Sequence, residues 1–155
     1  MKDNLTDPES FMRLALTEAE KAYERGEVPI GVVMVENSSG QILSQTHNLT
    51  ITNADPTAHA EILAIRHVCA QQGLQRIPDT TLYVTLEPCP MCAAAISYAR
   101  IDHIVFGASD PKSGGLVSGP SLSQSPVLHH KPFVTGGILA EACGDILKRF
   151  FQERR

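Results

Sequence analysis

Residues Thr80–Phe106 read TTLYVTLEPCPMCAAAISYARIDHIVF, and this stretch decides the fold. Thr80 to Thr85 is β-branched and apolar over a length that suits a strand. Pro88 and Pro90 flank Cys89 and open a short helix from Met91 to about Ala99. Ile101 to Phe106 then returns as a second strand. A strand, a helix and a strand follow one another so closely that the helix must lie on a sheet containing both strands.

Outward from this unit the pattern continues. Upstream, Asp55-Pro56-Thr57 predicts the start of a helix running to about Gln72, stopped by Gly73. Ile30 to Val35 suits a buried strand, Asn37-Ser38-Ser39-Gly40 is turn chemistry, and Gln41 to His47 completes a hairpin. Asn48 to Asp55 reads as a loop. Asp7 is placed to cap a first helix with Pro8 at its first position; Phe11, Leu14, Ala15, Ala19 and Ala22 recur at helical spacing, and Gly26 ends it. Downstream, residues 107–132 are rich in Gly, Ser and Pro and predict loops. Phe133 to Thr135 is a short fifth strand. Ile138 to about Arg154 is a closing helix, with Leu139, Cys143, Ile146, Leu147 and Phe150 on one side. The expected fold is therefore α/β: three layers, a mixed five-stranded sheet with helices on both faces.

The chain has 155 residues, which predicts a single domain over residues 1–155. Hydrophobic residues make up 43% and charged residues 19%, an ordinary globular composition. No apolar run approaches the ~18–20 residues of a membrane span. Met1-Lys2-Asp3-Asn4-Leu5 lacks the apolar core of a signal peptide, so the expected location is cytoplasmic, with no membrane partner. The formal net charge is −4, which argues against a generally basic nucleic-acid coat. Any such contact must use local clusters, of which Lys148-Arg149 with Arg154-Arg155 is the best. Charge alone reads that cluster equally as a solvated helix end whose cations complement the helix dipole.

Two short motifs carry chemistry: His59-Ala60-Glu61 and Pro88-Cys89-Pro90-Met91-Cys92. Each falls near a predicted helix N-terminus, where partial positive charge favours thiolates. Cys89 and Cys92, three apart, face one side of a helical turn. His59 is the candidate third ligand. Three protein ligands leave a tetrahedral zinc one open position for water, whose acidity such an ion raises. Glu61, two residues past His59, can reach that position without binding the metal and is the candidate proton shuttle. Glu87 reads as a supporting or surface group, and Asp55 as a helix cap. Of the other cysteines, Cys69 and Cys143 lie in apolar helical patterns and read as small core residues. A structural zinc needs a fourth ligand, and none of His47, His67, His103, His129 or His130 stands at paired spacing with the first three.

His-x-Glu followed by Pro-Cys-x-x-Cys is the established signature of zinc nucleobase deaminases. Beyond it, from about Phe11 to Arg155, the chain resembles the bacterial tRNA-specific adenosine deaminases of the cytidine/deoxycytidylate deaminase-like zinc family. The matching stretches are Glu27-Val28-Pro29-Ile30-Gly31, Asp55 to Glu61, Thr81 to Cys89, Val105-Phe106-Gly107-Ala108, Gly136-Gly137-Ile138-Leu139 and the Phe150-Phe151 tail. The resemblance implies conversion of adenosine to inosine at the wobble position of a tRNA anticodon stem-loop, one Zn2+ per chain, and a homodimer with its active sites near the subunit interface. It implies Asn48 as a ligand of the flipped-out base; without it, Asn48 reads as a turn residue. It implies RNA contacts at Asp110 and Lys112, otherwise a solvated turn, and at Phe151, Arg154 and Arg155 on the tail. The alternative activity is deamination of a free base or nucleoside of the guanine or cytosine type, for which the zinc motif would look the same.

Overall fold

The computed structural model describes residues 7–154. Its element order is α1 (Pro8–Glu24), β1 (Gly31–Glu36), β2 (Ile42–His47), α2 (Ala60–Gln72), β3 (Thr80–Leu86), α3 (Pro90–Tyr98), β4 (His103–Ala108), β5 (Phe133–Thr135) and α4 (Ala140–Glu153), with a short 3-10 turn at Leu122–Gln124. The sheet runs β2-β1-β3-β4-β5. β1 is antiparallel to both β2 and β3, whereas β3, β4 and β5 are parallel. This is the expected mixed five-stranded sheet.

Strand alternation distributes the core between two layers. Val32, Met34, Leu82, Val84, Ile104 and Phe106 face α2 and α3, where they meet Ala60, Ala64, Val68, Ala93 and Ile96. Val33, Val35, Tyr83 and Val105 point the other way, onto Phe11, Met12 and Ala15 of α1 and Cys143 of α4. Because both faces are covered, β1 reads as the unbroken apolar run GVVMV rather than as an alternation.

Asp7 caps α1 as expected, accepting from the Ser10 amide at 2.9 Å. Three other boundaries move. α2 starts at Ala60, not at Asp55. Asp55 forms a local turn instead, accepting from the Thr57 amide at 2.9 Å and hydroxyl at 2.7 Å. β4 starts at His103, because Arg100 takes a left-handed φ of 62° to end α3 and Ile101 still bonds back to Ile96. α4 starts at Ala140, after Leu139 takes φ 55°.

The layer spacing depends on two glycines. A Cβ on Gly31 would lie 2.0 Å from the Ala15 carbonyl oxygen and 2.7 Å from the Ala19 nitrogen. Here α1 touches the start of β1 backbone to backbone. A Cβ on Gly107 would meet the Cys143 sulfur at 2.4 Å, so α4 descends onto β4 at that point. Gly31→Ala must push α1 off the sheet. The overpacking cost is about 1–3 kcal/mol, or more where backbone itself has to move. Urea unfolding should show a lower midpoint; an unchanged midpoint would mean that α1 is free to shift.

Candidate active site

Two helix N-termini converge at the C-terminal ends of the parallel strands, where open α/β sheets place their ligands. His59 occupies the N-cap position of α2 and Cys89 that of α3, both with extended backbone and neither capping its helix through the side chain. Capping residues would turn inward to the first-turn amides; these side chains turn toward each other. Cys92 follows in the first turn of α3 and is fully buried.

His59 Nδ1 stands 3.6 Å from Cys89 Sγ and 3.6 Å from Cys92 Sγ. All three ligand atoms lie within 4.8 Å of one another. A tetrahedral ion with Zn–S near 2.3 Å and Zn–N near 2.05 Å sets sulfur and nitrogen ligand atoms roughly 3.6 Å apart. The donor set fits zinc in spacing as well as in chemistry. Electrostatics point the same way. A hydrogen bond from Cys92 holds the Cys89 thiol down to about 4. The Cys92 thiol is pushed up by that same bond to Cys89 and by burial. A bound dication would favour the thiolate form of both sulfurs.

Glu61 lies in the first turn of α2 with only 4% of its surface exposed. Burial pushes its carboxyl up to about 7, and the Cys89 charge adds to that. His59 is raised by its hydrogen bond with Cys89. Together these residues border a cavity of about 740 Å³, within the range of small-molecule sites. Val28 and Ile30 line it from the segment leading into β1 and Leu86 from the end of β3, Ser109 to Ser113 form one side, and Gly144, Leu147, Lys148 and Phe151 of α4 close the other.

The residues expected from sequence distribute unevenly around this cavity. His59, Glu61, Cys89, Asp110, Lys112 and Phe151 line it. Asn48 is buried one contact behind, its amide donating to the Val28 carbonyl at 3.4 Å. Arg154 lies outside it: its guanidinium stacks on Phe150 at 3.6 Å and on Tyr23 at 6.0 Å, fastening α4 to α1. Arg155 falls outside the described residues.

Sequence reading missed Leu147 and Lys148 as cavity residues. Gly144, Leu147, Lys148 and Phe151 follow helical spacing on a single face, which was the available signal. It also missed one buried carboxylate, Glu27, and left a second, Glu87, open between a supporting and a surface group; the structure buries both. Glu27 is fully buried and accepts from the Ile51 amide at 3.1 Å and from the Thr52 amide and hydroxyl at 2.6 Å each. Burial opposes its ionisation, but the Thr52 and Ile51 hydrogen bonds outweigh it and hold the carboxyl below its usual range. Glu87, 2% exposed, is likewise lowered, by donors from Asp110, Ser118 and Val117 acting against burial.

Residues 5–108 match the family model described as the cytidine and deoxycytidylate deaminase zinc-binding region. The tRNA-specific adenosine deaminase of Agrobacterium fabrum is 49% identical over 145 residues, covering 94% of each chain. That of Bacillus subtilis is 46% identical over 151 residues, covering 97% of this chain and 92% of its own. A solved structure from work on A-to-I editing by tRNA:A34 deaminases at the wobble position superposes with a TM-score of 0.86 at 49% identity, covering 88% of this chain and 98% of the other. Sequence, ligand geometry and backbone thus agree that the chain belongs to the cytidine and deoxycytidylate deaminase zinc-binding family, among its tRNA-specific adenosine deaminases.

Proposed function

We propose that this chain hydrolytically deaminates adenosine to inosine at the wobble position of a tRNA anticodon, with His59, Cys89 and Cys92 holding one zinc ion and Glu61 moving the protons. The observation that carries this reading is the joining of three ligand atoms within 4.8 Å to a buried carboxylate two residues past His59, beside a cavity of about 740 Å³ that has room for a flipped-out nucleoside. Zinc, when bound there, supplies a Lewis acid that acidifies water. The chain's own residues do the rest. Glu61 takes a proton from the attacking water as its oxygen bonds to C6. It delivers that proton to N1, then takes the second proton from the new C6 hydroxyl and passes it to the departing amine as the C6–N bond breaks, leaving the C6 carbonyl and ammonia. Val28, Ile30 and Leu86 exclude bulk water from the base.

The rim supports a polynucleotide substrate over a free base. Phe151 is 47% exposed at the cavity edge, where a neighbouring base can stack on it. Lys112 and Lys148 flank the opening and suit backbone phosphates. Arg154, just after α4, and Arg155 of the sequence add cations in this reading, and Asp110 and Asn48 complete the proposed substrate contacts, Asn48 through Val28. The working unit is a homodimer in this reading. Exposed Leu74, Met91 and Tyr98, all on or just beyond α2 and α3, support it. No helix among the described residues is long and apolar enough to cross a membrane. With tRNA as the substrate, the reaction belongs to the cytoplasm, and the whole chain acts as one deaminase domain.

An adenosine-bearing anticodon stem-loop, free guanine and cytidine, offered side by side to the zinc-loaded protein, test the reading. Inosine should form in the stem-loop, detected by nuclease digestion and chromatography. Turnover of guanine or cytidine with none of the stem-loop would overturn it.

A further inference from the structure

Glu87 follows β3 directly and stands two residues before Cys89, yet it takes no part in the ligand set. It is buried, and no Lys, Arg or His pairs with it among the described residues. Four donors from one distant loop converge on it instead. The Asp110 amide reaches Oε1 at 3.0 Å, the Val117 and Ser118 amides reach Oε2 at 2.8 Å each, and the Ser118 hydroxyl reaches Oε1 at 2.8 Å. The loop is wrapped around a carboxylate much as a backbone nest wraps an anion.

Two glycines make the wrapping possible. A Cβ on Gly114 would lie 2.7 Å from the Glu87 carboxyl carbon, and one on Gly115 would lie 2.4 Å from the Pro90 nitrogen. The Gly115 amide also donates to the Pro88 carbonyl at 2.8 Å. The loop is thereby fixed to the turn that presents Cys89. Its outward residues, Asp110 to Ser113, form one side of the substrate cavity.

We propose that Glu87 is a positioning residue for substrate: by gathering the amides of Asp110, Val117 and Ser118 it holds the Asp110–Ser113 wall where the RNA must dock. The inference rests on the tRNA reading above. A buried carboxylate with three backbone amides and a hydroxyl is a rigid support, and a wall displaced by about 1 Å can cost up to ~100-fold in productive binding or rate. The catalytic groups lie on α2 and on the start of α3, so the loss should fall on substrate capture rather than on the chemical step.

Glu87→Gln keeps the size and removes the charge, leaving amide hydrogens facing amide hydrogens. Glu87→Asp keeps the charge one methylene short. In Glu87→Gln, hydrogen exchange at Asp110, Val117 and Ser118 should speed up, and so should tryptic cleavage after Lys112. Zinc should stay at one per chain, kcat on the stem-loop should be nearly unchanged, and KM should rise about tenfold. Glu87→Asp should recover part of the KM. Unchanged exchange and cleavage would overturn the proposal. So would a loosened loop with an unchanged KM, which would make Glu87 merely structural. Loss of zinc, or a fall in kcat at constant KM, would also overturn it by assigning Glu87 to the metal turn. If the wild type ignores the stem-loop, the tRNA reading fails by itself. The same comparison is then made on whichever substrate the wild type does accept, and the exchange data still judge Glu87.

Discussion

Glu61→Gln should lower the single-turnover rate of inosine formation by at least the ~100- to 10,000-fold typical of losing a positioned acid–base group, with zinc content unchanged. Glutamine fills the same volume in a site where Glu61 is only 4% exposed, so packing is preserved. What disappears is the buried carboxylate that, in this reading, carries two protons in succession. The structure narrows the competitors. Asp55 is held by Thr57 at 2.9 and 2.7 Å and faces Arg66. Glu27 is closed off by Ile51 and Thr52. Glu87 borders the cavity, but its carboxylate oxygens are taken up by the Asp110, Val117 and Ser118 donors. Asp110 borders the cavity, but its Oδ1 accepts the Ser113 amide at 3.0 Å and shapes its own turn. Inosine formation on an anticodon stem-loop would be followed under enzyme excess, with metal analysis of the same sample. A fully metallated variant near the wild-type rate would hand proton transfer to another residue.

Much of this site is visible in the sequence because its parts are local. Cys89 and Cys92 are one helical turn apart, and the apolar run before them and the prolines around them announce a strand meeting a helix. His59 and Glu61 are equally close. What the sequence hides is whatever depends on distant backbone. Asp55-Pro56-Thr57 has the residue types of a helix start, yet the turn it makes consumes Asp55 locally and the helix waits for His59. The imidazole at that N-cap offers no capping bond, so the usual signal is missing where the helix really begins. Glu27 and Glu87 carry no local mark of their roles, since their donors lie 23 to 31 residues away and are mostly main-chain amides, present at almost every position. On α4 the apolar face was readable, but not that Leu147 and Phe151 turn toward the cavity while Ile146 and Phe150 enter the core. Arg154 shows the limit of charge patterning: its guanidinium is engaged by Phe150 and Tyr23, a contact that depends on how α1 and α4 pack.

Cys89→Ala should abolish stoichiometric zinc binding and lower thermal stability by an amount that removing zinc from the wild type reproduces. Two remaining donors, His59 and Cys92, hold a dication far less tightly than three, and the lost affinity returns as lost folding free energy. For an ion present at 100 to 1,000 times its dissociation constant, the linkage is about 3–4 kcal/mol. In a chain of this size that corresponds to a fall in Tm on the order of 10 °C. Packing alone cannot produce such a fall. Cys89 is only half-buried and belongs to neither core cluster, so alanine there removes little apolar contact. Cys69 serves as the control: it is also a half-buried thiol, but it lies late in α2, away from the ligand set. Cys69→Ala should keep one zinc per chain and most of the stability. Chelated wild type and Cys89→Ala should then melt together, both below Cys69→Ala. If Cys89→Ala retained full zinc, or melted with the loaded wild type, the metal would have to be held by a different set of residues.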